Sequence, residues 1–232
     1  MNAVEPPVAS GGFAFVRAAP AIASWDARGA ALGVGGMTSR ADIERRLCAR
    51  LPPDRCRHSV RVAEYAGGLA ARWGADPERA ALAGLLHDCA RDIDPAALLK
   101  MARGSGILVD AIEAEHPPLL HGKVGAVLAS GEFGVTDAEV LRALETHPTG
   151  AAGMGLLARV LFVADHAEPG RTYPRVDELR RLAEQDLDSA LLLALDMTAD
   201  FLAARGIVPH PRAALARAAV AARIKGRAAA PR

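Results

Sequence analysis

Four residues define the chemistry open to this chain: His58, the adjacent pair His87-Asp88, and Asp165. Imidazole nitrogen and carboxylate oxygen are donors that first-row divalent metals accept, and two of each leave coordination positions for water and a substrate. The apolar run Leu82-Ala83-Gly84-Leu85-Leu86 ends abruptly in His87-Asp88, and the run from Leu156 to Ala164 ends in Asp165. Neighbouring side chains at a loosening helix end can aim at one ion. A solitary His-Asp pair often marks only a surface turn, and a lone histidine on an apolar face is more often a satisfied core residue. Here the argument for a metal rests on the company these residues keep. His121 and His147 are not needed to complete the sphere of one ion, and histidines beside such a centre can serve as a general acid for a leaving group.

The elements that must position these residues read as helices. The chain is 51% apolar, poor in aromatics and rich in alanine, and no alternating β-branched run is long enough for a strand. Thr38-Ser39 opens a helix whose Ile43, Leu47 and Leu51 recur every four residues until Pro52-Pro53 stops it. Asp54 is expected to cap the next helix, where His58, Val62, Tyr65 or Ala66, Leu69 and Trp73 share one face. Gly74 ends it, and Asp76-Pro77 and Asp94-Pro95 are two further start signals. His116, ahead of two prolines, reads as a surface residue. Thr136 to Glu139 has the form of a capping box, followed by Val140, Leu144 and His147 at helical steps. The run into Asp165 is too long for most strands and reads as a buried helix ended by Glu168-Pro169-Gly170-Arg171. Leu179 and Leu182, then Leu187, Leu191, Leu195 and Leu202, mark two more helices. The expected fold is all-α, one domain over residues 38–212. A low-order Gly/Ala/Pro-rich tail (1–37) precedes it, and a basic C-terminal tail (213–232) with a weak Ala/Arg helix follows.

The order His…His-Asp…Asp resembles the signature of the HD-domain metal-dependent phosphohydrolases. The flanking residues look like the YqeK branch, the symmetrical diadenosine tetraphosphate hydrolases of bacteria. The resemblance is carried by Arg57-His58-Ser59-Val60, Leu86-His87-Asp88, Leu120 to Ala126, Thr146 to Gly150 with Gly153-Met154, Val163 to Arg171, and Val176 to Arg180, over roughly residues 39 to 212. It differs at Arg91, where the family tends to carry Lys, at Pro148, where Thr follows the histidine, and at His166, where it has Tyr. The resemblance implies an HD-type helical bundle of seven or more helices that hydrolyses a phosphoanhydride and cuts diadenosine tetraphosphate into two ADP. It implies a metal on His58, His87, Asp88 and Asp165, with Asp88, His121, His147 and Asp165 as catalytic residues; a second ion would take His121 and His147. Substrate contacts are expected from the same four residues together with Arg55, Cys56, Arg57, Pro148, Arg171, His210 and Pro211. Nitrogen donors favour iron, with manganese as the other candidate, over magnesium. Arg171 is the stronger cation for the polyphosphate because a guanidinium grips phosphate through two donors, and Lys123 is the second candidate. A homodimer is carried as an expectation.

Composition bounds the alternatives. The net charge is +1, so bulk charge points to neither nucleic acid nor membrane, yet no acidic residue follows Asp200 while seven basic ones do. That asymmetry keeps one rival in view, a nucleotide-binding module that reaches RNA or ribosomes through its tail. Another rival is an HD phosphohydrolase acting on other nucleotides, including guanosine polyphosphates. No Gly-rich phosphate loop of the Walker type occurs. Cys48, Cys56 and Cys89 are odd in number and lack metal-ligand spacing, so reduced thiols and a cytoplasmic setting are expected. No segment is long and apolar enough to span a bilayer. The residues from Phe13 to Ile22 fail as a signal peptide because Arg17 and Pro20 interrupt them, and Met37 is an alternative start of translation.

Overall fold

The structure, a computed structural model, describes residues 39–229, all helix and loop. Expectations about residues 1–38, including the tail and the start at Met37, lie outside the described residues.

Among the described residues, eleven α-helices and one 3₁₀ turn follow in chain order. The first is α1 (Arg40–Cys48), opened by Ser39, whose hydroxyl accepts from the Asp42 amide. Next come α2 (Pro53–Trp73), α3 (Pro77–Leu86), α4 (Pro95–Gly104) and α5 (Ala111–Glu115), then the 3₁₀ turn Pro117–Leu120. They are followed by α6 (His121–Phe133), α7 (Ala138–Thr146), α8 (Leu156–Ala167), α9 (Val176–Gln185), α10 (Leu187–Ala203) and α11 (Pro211–Ala229).

Local chemistry explains the boundaries. Asp76 and Asp94 each accept two amides at the start of a helix whose first residue is proline, a pairing that satisfies orphan N–H groups and pre-sets φ. Gly74 ends α2 in the left-handed region at φ 78°. Two cap expectations are corrected. Pro52 rather than Asp54 precedes α2, because the two prolines themselves fix the entry, and Asp54 falls in the first turn. Asp137 rather than Thr136 caps α7, accepting from Glu139 N and Val140 N.

The centre is built by α2, α3, α7 and α8, with α2 against α3 as the most extensive pairing. Leu85, Leu86, Leu144 and Leu161 lie fully buried there, each contributing about 1.5–3 kcal/mol by leaving water. A smaller apolar group, Leu98, Ala102, Leu120, Val124 and Leu128, joins α4 to α6. Close approach is enforced at Gly84, where an added Cβ would stand 2.7 Å from the Ala63 Cα of α2. It is enforced again at Gly122, where a Cβ would meet the Leu144 carbonyl at 2.6 Å and the Pro148 ring at 2.7 Å. These two contacts press α3 onto α2 and α6 onto α7.

Three sequence expectations change. The Ala/Arg helix expected in the basic tail (213–232) forms as α11, but it is packed rather than solvated: it lies on α10 and buries Ala216 and Val220. Its arginines meet acids, Arg217 on Asp196 at 2.5 Å, Arg227 on Asp186 at 2.8 Å and Arg212 on Glu113 at 2.6 Å. The sequence read them as free because their partners lie far upstream. Cys48 and Cys56 form a disulfide, with Cα atoms 5.1 Å apart, because the Pro52-Pro53 turn folds the end of α1 onto the start of α2; only Cys89 is free. Among the described residues, no helix is long and apolar enough to cross a membrane.

Candidate metal centre

The helix ends converge as their apolar runs predict. His58 lies one turn into α2, His87 caps the end of α3 with Asp88 following, His121 opens α6, His147 caps the end of α7, and Asp165 lies in the last turn of α8. All four histidines and Asp88 are buried, from 0% to 6% exposed, which is far too little for surface residues. Ligand atoms of His58, His87 and Asp88 lie within 4.8 Å of one another, and so do those of Asp88, His121 and His147. Asp165 Oδ1 joins the first group, 3.0 Å from His58 Nε2 and 3.6 Å from His87 Nε2. Asp88 is thus common to both groups, 3.5 Å from His87 Nε2 through Oδ2 and 3.4 Å from His121 Nε2 through Oδ1.

The tautomers follow from what surrounds each ring. Nδ1 faces the Gly84 carbonyl in His87 (2.7 Å), the Pro118 carbonyl in His121 (2.7 Å), the Leu144 carbonyl in His147 (2.8 Å) and the Glu168 carboxylate in His58 (3.1 Å). Each of these oxygens can only accept, so each Nδ1 is placed to donate, and each neutral ring then turns an Nε2 lone pair inward. His58, with Asp165 Oδ1 also 3.0 Å from its Nε2, is the ring best placed to hold a second proton when no metal is bound. His58 Nε2 then faces His87 Nε2 at 3.2 Å, and His121 Nε2 faces His147 Nε2 at 2.9 Å. Two lone pairs at that separation repel unless a cation lies between them or one ring takes a proton. Four inward lone pairs with two buried carboxylates fit a divalent metal, and the Nδ1 bonds are the outer contacts that orient metal-binding imidazoles.

Titration divides the rings: burial would lower His58, but its bonds to Asp165 and Glu168 raise it. Burial holds His87 down to about 4, leaving the ring neutral and its lone pair available. Burial alone would raise Asp88 and Asp165, but neighbouring imidazoles, joined at Asp165 by the Arg171 guanidinium, hold both well below the usual carboxylate range.

The remaining candidates divide. Arg55 reaches the centre, donating to Asp88 Oδ2 at 2.8 Å while Asp92 holds its Nε at 3.1 Å. Arg171 reaches it too, its Nη2 2.8 Å from Asp165 Oδ1 and its Nε bonded to the Asp165 carbonyl. Pro148 lies against Gly122 and supports His147. Arg57 is exposed and pairs with Asp54, and Cys56 is held in the disulfide. Lys123 is engaged by Glu113 at 2.7 Å and the Leu108 carbonyl, so it is not a free cation at the centre. His210 bonds Asp110 at 3.0 Å beside Arg212, where the start of α11 meets α5; Pro211, the first residue of α11, is exposed. His116 is exposed as expected. His166 stacks on Phe162 and faces Thr198 Oγ1, so it belongs to the packing of α8 on α10. Sequence reasoning missed Glu168, which is 1% exposed and bonded to His58 and Arg61. Its signal was available: a carboxylate three residues after Asp165, ahead of Pro-Gly, where a helix ends.

Helical fold and paired His/Asp groups together form a centre of the kind that could hold a divalent metal, and comparison with known proteins gives its family. Residues 55–170 match the family model described as the HD domain, and the chain belongs to that family. It is 40% identical over 145 residues to the symmetrical bis(5'-nucleosyl)-tetraphosphatase of Bacillus subtilis, covering 62% of this chain and 77% of that protein. The protein of that name from Staphylococcus aureus is 36% identical over 167 residues, 69% of this chain and 84% of that one. A crystal structure from Clostridium acetobutylicum, described as an HD superfamily hydrolase involved in NAD metabolism, superposes with a TM-score of 0.78 at 36% identity. It covers 81% of this chain and 100% of its own.

Proposed function

We propose that this chain is a symmetrical bis(5'-nucleosyl)-tetraphosphatase, a hydrolase that cuts diadenosine tetraphosphate into two ADP. The observation that supports this most is the inward set of four Nε2 lone pairs and two carboxylates, in a chain 40% identical to a protein named for that activity. His58, His87, Asp88 and Asp165 would hold the ion, with iron the first choice and manganese the second, since nitrogen donors supply half the set. When bound, a divalent ion supplies charge neutralisation at phosphoryl oxygens and makes water a stronger nucleophile.

The protein's own groups do the rest. Asp88 and Asp165 lie where one can orient a water and accept its proton. Arg171 and Arg55 are anchored by their carboxylate partners, so each can present its remaining N–H groups to phosphate without ordering a loose side chain. Held by its distal phosphate at the centre, one nucleoside diphosphate half takes the attack at its second phosphorus, and the other half leaves as ADP. One ion is the first reading, and the second group, Asp88, His121 and His147, carries a two-ion alternative: its short Nε2 pair calls for a cation or a proton. With a proton, one ring donates to phosphate or to the leaving oxygen; with a second ion, both are ligands. Metal stoichiometry of the purified protein separates the two.

The pairing of Arg212, Arg217 and Arg227 with acids weighs against the RNA-binding rival. The Cys48–Cys56 disulfide takes away the reduced thiols behind the expected cytoplasmic setting, so that setting stands on the relatives' activity alone, and light scattering tests the homodimer. The test of the site is His87→Ala. Loss of both bound metal and hydrolysis is expected, because one missing donor leaves buried partners unpaired. Full metal occupancy in that variant refutes the assignment.

A further inference from the structure

Glu168 and Arg61 form a relay behind His58, outside the ring of donors. Glu168 Oε1 accepts from His58 Nδ1 at 3.1 Å, and its Oε2 accepts from Arg61 Nε at 2.6 Å. The Gly170 amide also donates to Oε2, and Arg61 Nη2 reaches Oε1 at 3.2 Å. Arg180 braces the same turn, donating to the carbonyls of Glu168 at 2.9 Å and Arg171 at 2.7 Å. Gly170 leaves room for the Arg61 guanidinium: a Cβ there would stand 2.5 Å from it and push it aside. Arg61 follows His58 by three residues on α2, so the two share a helical face and meet one carboxylate.

His58 differs in this from the other three rings. Their Nδ1 partners are main-chain carbonyls on their own helices or the adjoining turn, whereas His58 is held by a side chain from the end of α8. Asp165, on the same last turn, faces Nε2 of that same ring. We infer that Glu168 is a positioning residue for the metal site, fixing His58 in its Nδ1–H tautomer, and that Arg61 holds Glu168 in place. The inference rests on the proposed metal role of His58 and specifies what sustains it. A carboxylate behind an imidazole also makes the ring a better donor, and loss of such outer partners lowers metal affinity on the order of 10–100-fold.

The experiment measures Mn²⁺ dissociation constants for the metal-depleted full chain and its Glu168→Gln, Arg61→Gln and His87→Ala variants. Circular dichroism and melting of the metal-free forms accompany them. Gln keeps the shape of Glu but removes the charge, so Glu168→Gln is expected to weaken Mn²⁺ about 10–100-fold at unchanged helicity. Arg61→Gln is expected to weaken it in the same direction by a smaller factor. A structural role alone would lower the melting temperature and leave the dissociation constant alone. Wild-type affinity in either Gln variant, with binding lost in His87→Ala, overturns the relay. Wild-type affinity in His87→Ala overturns the metal site itself. If Glu168→Gln fails to fold, Arg61→Gln decides.

Discussion

Glycine 84 offers a sharp test of how the fold positions the centre. It lies in α3 one turn before His87, and its own carbonyl accepts from His87 Nδ1 at 2.7 Å. An alanine methyl there would meet three main-chain atoms of α2, Ala63 Cα at 2.7 Å, Ala63 N at 2.8 Å and Val62 C at 2.9 Å. None is the movable end of a side chain, so the helices must separate, and overpacking of that kind costs about 1–3 kcal/mol. Alanine's better helix propensity returns about 1 kcal/mol, leaving a net loss of up to about 2 kcal/mol. For a chain of this size that is a melting decrease of up to about 8 °C. Gly68, exposed on α2 with nothing within 4 Å of its would-be Cβ, is the control. Gly68→Ala gains the propensity without the clash, so the two substitutions should move the melting temperature in opposite directions. Because α2 carries His58 and α3 carries His87, Gly84→Ala should also weaken Mn²⁺ binding while Gly68→Ala does not. Equal melting temperatures for the two variants would refute the reasoning.

Other consequences concern pH, thiols and α11. Glu168 is held down to about 2 against its burial by its bonds to His58 and Arg61, and His87 is held down to about 4 by burial. Both values lie below those of the unfolded chain, so the unfolded state binds more protons in acid. These two groups should therefore contribute their stability in full above about pH 6.5 and lose it progressively as pH falls through 4 toward 2. His58, which burial would lower but Asp165 and Glu168 raise, contributes below 6.5 and loses its share as pH rises. Urea melts of the metal-free protein from about pH 2 to 6 read the acid limb. Thiol titration in denaturant should find one free thiol without reductant, that of Cys89, and three with it. Reduction should lower stability by about 2–3 kcal/mol, the loop-closure value for so short a ring. Truncation after Arg212 removes buried Ala216 and Val220 and the partners of Asp186 and Asp196, so it should lower the melting temperature rather than leave it unchanged.

The sequence was most legible where period and chemistry coincide. Leu82 to Asp88 and Leu156 to Asp165 are apolar runs ending in donors, and both fold as buried helices that deliver those donors to one centre. The start signals Asp76-Pro77 and Asp94-Pro95 worked because a cap and a first-position proline act locally. What stayed hidden depended on distance along the chain. The pairing of Arg217 with Asp196 and Arg212 with Glu113 turns an apparent basic tail into a packed helix, and nothing local in α11 announces it. Glu168 sits 110 residues from His58, and Lys123 looked like a phosphate ligand until Glu113 appeared beside it. The disulfide escaped notice because an odd cysteine count spoke against pairing, while the Pro52-Pro53 turn that creates it is a geometric matter.

The central claim is that the converging His/Asp donors hydrolyse a dinucleoside tetraphosphate between its middle phosphates. The direct measurement is the initial product ratio from diadenosine tetraphosphate, resolved by anion-exchange chromatography, with metal-depleted and metal-restored protein. ADP is expected as the sole nucleotide product, formed only after metal is restored. ATP and AMP in equal amounts, or hydrolysis that persists without metal, would contradict it.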